Sequence, residues 1–83
     1  MSLTVRYFAS LREALGPAET LPHAPGLTLG ALRAQLVARG GAHAQALAPG
    51  RAVRCAINQT MADESAAVPD GAEVAFFPPV TGG

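Results

Sequence analysis

The last ten residues, Val74 to Gly83, restrict what this chain can fold into more than any other stretch of its sequence. Val74-Ala75-Phe76-Phe77 is rich in β-branched and aromatic residues, which favours a strand. Pro78-Pro79 ends the hydrogen bonding of that strand, because proline has no N–H, and continues the chain as a stiff, extended segment. The final four residues span about 13 to 14 Å when extended. The pattern therefore predicts a strand, a stiff spacer and a narrow tip, Val80-Thr81-Gly82-Gly83.

A narrow tip suggests that the chain inserts its end into a slot. Two glycines let the backbone enter a channel that is too narrow for a Cβ atom. The group delivered would be the carboxylate of Gly83, which is ionised at neutral pH and is a poor electrophile. It must first be activated, most simply as an acyl-adenylate made by another protein, before it can accept sulfur or an amine. The alternative is an idle, disordered terminus.

Three segments of the chain match known motifs, namely Asp70 to Gly83, Tyr7-Phe8-Ala9-Ser10-Leu11-Arg12-Glu13 and Ala56-Ile57-Asn58-Gln59-Thr60. Together they resemble the small subunit of molybdopterin synthase, the MoaD family, over the whole chain. The Phe-Phe-Pro-Pro-Val-Thr-Gly-Gly ending is the most specific part of the match. The resemblance implies an α+β fold, the ubiquitin-like β-grasp, over residues 1–79, followed by a flexible tail over 80–83.

The resemblance also implies a function, in which Gly83 becomes a thiocarboxylate and donates its sulfur. An adenylating, E1-like enzyme would activate the carboxylate with ATP, and a sulfur donor protein would replace one oxygen. The large catalytic subunit would then accept the tail, including Val80, Thr81 and Gly82, and pass the sulfur to the pterin precursor of the molybdenum cofactor within a heterotetramer. The chain itself is expected to bind no cofactor and no metal, and to catalyse nothing alone.

Alternation along the strands predicts a docking surface beside the tail. If Leu3, Val5 and Tyr7 of the first strand face the core, Phe8 faces out. If Val74 and Phe76 of the last strand face the core, Phe77 faces out as well, and the two rings form an exposed apolar patch. Met61 is expected to join them, because a flexible thioether suits adaptable contacts. The resemblance implies that these three side chains contact the large subunit, and we expect Pro78 and Pro79 to contribute.

The rest of the pattern predicts helices on one side of a mixed sheet. In the implied β-grasp, the first and last strands lie parallel in the centre of the sheet. Apolar periodicity and the Gly and Pro positions give the remaining elements: a strand over 3–8, a short helix closed by Gly16-Pro17, a strand over 19–21, a helix from Thr28 to Gly40-Gly41, one or two helical turns over 42–48, and strands over 51–58, 59–61 and 74–77.

Specific side-chain roles are predicted for the first two helices. Ser10 and Glu13 fit a capping box, in which each side chain bonds a free backbone N–H of the first turn. Thr28 is expected to cap the second helix. Leucines recur there at the spacing of a buried face, so Arg33 and Arg39 are expected to face water.

Composition argues against several other classes of function. Six arginines balance six acidic residues and lysine is absent, so the chain lacks the basic stripe of a nucleic-acid binder. No apolar run is long enough to cross a membrane and no signal-peptide pattern is evident, so a cytoplasmic location is expected. The single cysteine, Cys55, is predicted to be buried and inert rather than a persulfide carrier. His23 and His43 are too isolated in sequence to suggest a metal site, and both are expected at the surface.

Three other functions stay open on the sequence alone. A sulfur carrier of the same fold could serve thiamin or cysteine synthesis, although the Phe-Phe-Pro-Pro-Val-Thr-Gly-Gly ending disfavours it. A ubiquitin-like modifier could attach the same carboxylate to lysines of other proteins. A plain interaction domain could carry an idle tail, and trimming the tail would then leave its function intact.

Overall fold

Five strands and three helices make up the part of the chain that the structure, a computed structural model, describes, which is residues 1–79. The sheet has the order β2-β1-β5-β3-β4, with β1 and β5 parallel and the other neighbours antiparallel. This confirms the predicted α+β fold. The elements are β1 (Ser2–Tyr7), α1 (Ala9–Leu15), β2 (Ala18–Pro22), α2 (Leu29–Val37), α3 (Gly41–Leu47), β3 (Arg54–Ile57), β4 (Thr60–Ala62) and β5 (Glu73–Phe77).

The core forms between one face of the sheet and the helices. Val5 lies beside Val74, and Tyr7 lies beside Phe76 with the two rings stacked and their centroids 6.3 Å apart. Each of these four side chains is at most 1% exposed. Burying a side chain of this kind stabilises the fold by about 1.5 to 3 kcal/mol. The helices cover these strands with buried leucines, namely Leu11, Leu29, Leu32, Leu36 and Leu47.

The parallel pairing of β1 and β5 fixes the direction in which the chain leaves the sheet. Thr4 lies beside Glu73 at one end of the pair, and Tyr7 lies beside Phe76 at the other. Met1 therefore lies at the opposite end of the sheet from the two prolines that follow β5. Because β5 is bonded to β1 on one side and to β3 on the other, the base of the tail is held from both sides.

The capping box predicted at Ser10 and Glu13 is wrong. Helix α1 begins earlier, at Ala9, and its N-cap residue is Phe8, whose side chain makes no capping hydrogen bond. Phe8 stays extended and its N–H bonds the carbonyl oxygen of Phe76 at 3.2 Å, so the sheet contact continues up to the first residue of the helix. Ala9 makes the abrupt turn with a left-handed backbone conformation, φ 52°.

The cap predicted at Thr28 is confirmed, because its Oγ1 accepts a hydrogen bond from the N–H of Ala31 at 3.2 Å. The end predicted for the same helix at Gly40-Gly41 is too late. Helix α2 ends at Val37, and Gly40 takes a left-handed conformation (φ 76°) as the N-cap residue of α3. The two glycines thus form the corner between two helices, a conformation that glycine adopts at little cost.

The prediction that Arg33 faces water is wrong, since its side chain is buried, with 6% of the residue exposed. Its Nε donates to the carbonyl oxygen of Leu47 at 2.7 Å, and its Nη2 donates to those of Ala48 at 2.7 Å and Arg51 at 2.9 Å. Its Nη1 pairs with the carboxylate of Glu64 at 2.8 Å. Arg33 therefore satisfies carbonyls at the end of α3, which have no partner within that helix.

The hydrogen bonds of Arg33 also explain why one strand is shorter than predicted. The strand predicted over 51–58 is shorter, Arg54–Ile57, because the carbonyl of Arg51 bonds Arg33 rather than a neighbouring strand. The short strand predicted over 59–61 lies one residue later, at Thr60–Ala62. Within residues 1–79, no helix combines the length and the apolar character that crossing a bilayer requires.

Candidate docking face and carboxylate tail

The face of the sheet that points away from the helices carries the predicted docking residues. Arg6, Ala75, Ala56 and Met61 are successive cross-strand partners on this face, across β1, β5, β3 and β4. Phe77 lies beside Arg54 in the adjacent row, nearer the end of β5. We call this surface the outer face, and it borders the point at which the chain leaves the sheet.

The three predicted docking side chains differ in exposure. Phe8 is 39% exposed and Met61 is 56% exposed, so the outward positions predicted for both are confirmed. Phe77, predicted to be an exposed anchor, is instead half-buried. The reason is its place on a central strand, where Arg54 of β3 lies beside it on one side and β1 flanks it on the other.

Arg6 helps to fix the ring of Phe8. The guanidinium carbon lies 5.6 Å from the ring centroid, a cation–π contact. Arg6 also pairs with Glu73 at 3.6 Å, and because both side chains are largely exposed, that ion pair contributes little stability on its own. The contacts nonetheless restrict where the Phe8 ring lies on the outer face.

The tail itself is only partly described. Pro78 and Pro79 follow β5 directly and are half-buried. Val80, Thr81, Gly82 and Gly83, on which the predicted insertion and sulfur attachment depend, lie outside the described residues.

The prediction that Cys55 is a buried thiol is confirmed. The residue lies in β3 on the core side, is 4% exposed, and has Phe76 and Ala62 as its cross-strand partners. Burial raises the pKa of the Cys55 thiol, and the carboxylate of Glu64 acts in the same direction. A buried, protonated thiol is a poor nucleophile, so the surroundings of Cys55 do not suit a persulfide carrier.

Neither histidine is the free surface residue that the sequence suggested, because both are half-buried and bonded. Nε2 of His23 donates to the carbonyl oxygen of Val68 at 2.6 Å. Nε2 of His43 lies 3.2 Å from a carboxylate oxygen of Glu19. Over residues 1–79, His, Cys, Asp and Glu side chains form no group of three that could hold a metal ion.

A polar cluster centred on Glu19 was missed by the sequence analysis. The buried Tyr7 hydroxyl donates to the Glu19 carboxylate at 2.8 Å, and Arg39 and His43 bind the same carboxylate. Burial alone would raise the pKa of Glu19, but the hydrogen bonds from Arg39, Tyr7 and His43 outweigh it and lower that pKa. Burial and the bond to Glu19 raise the pKa of Tyr7. The signal in the sequence was a tyrosine on the core face, because a buried hydroxyl needs a partner.

Comparison of the sequence with known proteins shows the family to which this chain belongs. The ThiS family matches residues 5–83. The chain is 42% identical over 81 residues to the molybdopterin synthase sulfur carrier subunit of Escherichia coli (strain K12), which covers 98% of this chain and 99% of that protein.

Solved structures share the fold over nearly the whole chain. The small archaeal modifier protein 1 of H. volcanii is 26% identical with a TM-score of 0.76, covering 95% of this chain and 98% of that one. A chain in the complex of subunits 1 and 2 of the molybdopterin-converting factor from Helicobacter pylori 26695 is 25% identical with a TM-score of 0.69, covering 100% of both chains. The protein described here therefore belongs to the ThiS family, among the sulfur carrier subunits of molybdopterin synthase.

Proposed function

We propose that this chain carries sulfur for molybdopterin synthesis as a thiocarboxylate on Gly83. The observation that carries the proposal is the 42% identity to the E. coli sulfur carrier subunit over 81 residues. An adenylating, E1-like enzyme joins the Gly83 carboxylate to AMP, with pyrophosphate released from ATP. A sulfur donor protein then supplies the sulfur that displaces AMP. The chain contributes the nucleophilic sulfur, and its partners contribute ATP binding and the catalytic side chains.

The proposed partner at the transfer step is the large catalytic subunit of molybdopterin synthase. The complex of the two subunits of the H. pylori factor supports this pairing. We place the large subunit against the outer face, where Phe8 and Met61 are exposed and Phe77 is half-buried. Phenylalanine and methionine are both enriched at protein–protein interfaces relative to the rest of the surface. Two copies of each subunit would form the heterotetramer.

The geometry of β5 suits this delivery. The strand is held by β1 and β3, and Val74 and Phe76 are fully buried, so the start of the tail has a fixed position relative to the outer face. A partner that binds the outer face therefore meets the tail at a defined place, and Val80, Thr81 and Gly82 pass Gly83 into its active site. Fixing the reacting group in this way lowers the entropic part of the barrier. The proposed compartment is the cytoplasm, where ATP is available to the activating enzyme.

The test is the intact mass of the protein after incubation with the activating enzyme, ATP and the sulfur donor. We expect the mass to rise by the difference between sulfur and oxygen. Deletion of Gly83, or addition of one alanine after it, is expected to abolish the gain while the far-ultraviolet circular dichroism stays unchanged. Thr81→Ser keeps both glycines and serves as the matched control that still gains sulfur. Sulfur incorporation by the chain that lacks Gly83 contradicts the proposal.

A second candidate function is attachment of Gly83 to lysines of other proteins. It is favoured by the likeness to the H. volcanii small archaeal modifier protein 1. A blot of the protein with an added N-terminal epitope, expressed in its own cell, separates the two functions. A ladder of larger conjugates that disappears when Gly83 is deleted would support a modifier, and a single band at the size of the carrier supports sulfur transfer alone.

A further inference from the structure

Arg33 is the only charged residue that is buried among residues 1–79. Three of its four hydrogen bonds go to backbone carbonyls, and its single carboxylate partner in that part of the chain is Glu64 at 2.8 Å. The two partners differ in burial, because 54% of the Glu64 side chain is exposed and only 7% of the Arg33 side chain is exposed. Removing one partner of such a pair leaves a buried charge without its counter-ion, which is costly.

The segment that contains Glu64 is held against the first turn of α2 by its backbone as well. The carbonyl oxygen of Glu64 accepts from the N–H of Gly30 at 2.9 Å, and that of Ala66 accepts from the N–H of Leu29 at 3.0 Å. A Cβ atom at Gly30 would lie only 3.2 Å from the Glu64 carbonyl oxygen. Glycine therefore permits the close approach, and the ion pair to Arg33 adds a side-chain bond at the same place.

This segment directly follows β4, the strand that carries Met61. Strand β4 spans three residues, and among residues 1–79 it lies at the edge of the sheet and pairs with β3 alone. On its other side no described strand pairs with it, so few bonds from residues 1–79 fix its position. The next fixed points along the chain are at Glu64, whose carbonyl oxygen accepts from the N–H of Gly30 and whose carboxylate pairs with Arg33.

We propose that Arg33 and Glu64 are positioning residues for docking, which hold β4 so that Met61 lies in place on the outer face. The inference rests on the proposed function, because it concerns the surface that we assign to the large subunit. Arg33 is too deeply buried to touch a partner, so it acts through Glu64 and β4. The loss of this ion pair is therefore expected to weaken binding only as long as Met61 is present.

The first experiment measures affinity for the purified large subunit by calorimetry. Glu64→Ala is expected to weaken binding roughly 2- to 10-fold, within the range for coupled neighbouring residues. Glu64→Gln keeps an acceptor for Arg33 Nη1 and is expected to restore most of the affinity. Asp70→Ala is the matched control, because it removes an exposed carboxylate before the start of β5, at the end of the strand away from Phe77. The affinity of this variant should equal that of the wild type. In a Met61→Ala background, Glu64→Ala is expected to have no further effect. An equal loss in both backgrounds overturns the inference.

The second experiment uses the isolated chain and needs no partner. Amide hydrogen exchange at residues 60–62 is expected to be faster in Glu64→Ala than in the wild type, while Val5 and Val74 exchange as before. Unchanged exchange at residues 60–62 overturns the inference. If Met61→Ala alone binds the large subunit normally, Met61 is not part of the docking face. The exchange result then decides separately whether Glu64 positions β4.

Discussion

Cys55 and Gly83 represent two different ways for a protein to carry sulfur. A persulfide carrier needs an accessible thiol with a low pKa. Cys55 is 4% exposed, and burial raises the pKa of its thiol. Both properties oppose transfer of sulfur from this side chain, and they leave the carboxylate of Gly83 as the proposed carrier.

Cys55→Ala is therefore expected to support sulfur transfer at close to the wild-type rate. The measurement is single-turnover formation of the dithiolene, with the purified large subunit, the pterin precursor and fully thiocarboxylated variant. The substitution leaves a small cavity, so the free energy of unfolding is expected to fall by about 1 kcal/mol. Loss of transfer in a variant that remains folded and still binds the large subunit would overturn the thiocarboxylate mechanism.

The burial of single side chains was predicted correctly at Cys55 and wrongly at Arg33. The alternation that placed Cys55 in the core depends only on its own strand, and the structure confirms it. The helical spacing predicted that Arg33 of α2 faces water, because it could not show which backbone carbonyls the side chain would meet. Those carbonyls belong to the end of α3 and the loop after it, whose position depends on the packing of two helices.

At the scale of elements, the strands were predicted well because their period of two residues and their flanking Gly and Pro residues are local signals. The start of α1 was predicted less well. The chain from Tyr7 to Ala9 passes from strand to helix without a loop, because the N–H of Phe8 bonds β5. A capping box is a preference of an isolated helix end, and here the bond to the sheet decides the N-cap residue.

The outer face predicts different effects for its two aromatic residues. Phe8→Ala is expected to weaken binding to the large subunit by about 1 to 3 kcal/mol, with little change in stability, because Phe8 is exposed. Phe77→Ala is expected to weaken binding by a similar amount and also to lower stability, because Phe77 is half-buried. Calorimetry with the large subunit and urea unfolding of the isolated chain measure the two effects.

Phe76→Ala provides the comparison for a core truncation. Phe76 is fully buried, so its loss is expected to cost about 3 to 5 kcal/mol of stability. If Phe8→Ala proved as destabilising as Phe76→Ala while binding stayed unchanged, the assignment of Phe8 to the docking surface would be wrong.

Glu19 lies in strand β2, and the hydrogen bonds to its carboxylate predict a dependence of stability on pH. The hydrogen bonds lower the pKa of Glu19 in the folded protein. Its charged form therefore stabilises the fold above the unfolded pKa of about 4.3, and that contribution is lost as the pH falls through the folded pKa. Glu19→Gln is expected to cost about 1 kcal/mol at neutral pH.

The check is urea unfolding of the wild type and Glu19→Gln at neutral pH and near pH 3, where the difference between them is expected to shrink. Glu13→Gln, in an exposed residue of α1, serves as the control for removal of a carboxylate. A difference between wild type and Glu19→Gln that stayed constant with pH would show that the charge of Glu19 is not its source.

At the scale of the whole molecule, the arrangement of ends and charges limits what an activated Gly83 can acylate. The chain contains no lysine, so Met1 provides its single primary amine. That amine pairs with Asp70 at 3.0 Å, at the end of the sheet opposite the prolines that follow β5. Attack on Gly83 by the amine of the same molecule is therefore disfavoured by placement.

Peptide mapping of the products formed with the activating enzyme and ATP is expected to show amide links only from Gly83 to lysines of partner proteins. Arg54→Lys places a primary amine beside Phe77, near the start of the tail, and is the control that should yield a link from Gly83 to the introduced amine. A wild-type peptide in which Gly83 is joined to the amine of Met1 would contradict the prediction.

The order of the elements was predictable because alternation and turns are local signals, whereas the parallel pairing of the first and last strands was expected from the resemblance to the MoaD family. The exposed side chains of the outer face were predicted in outline, because alternation shows which side chains leave the core. It does not show how far neighbouring strands cover them, as they cover Phe77. The Glu19 cluster joins β1, β2 and the corner between α2 and α3, and it could not be predicted because it depends on contacts distant in sequence.

The central position of β5 has a mechanical consequence. Withdrawing the tail from a tight slot would pull β5 along its own axis. The bonds to β1 and β3 run across that direction, so the force would load them together in shear instead of peeling them apart one after another. A carrier built in this way can be drawn out of a partner after each delivery without unravelling from the end that was pulled.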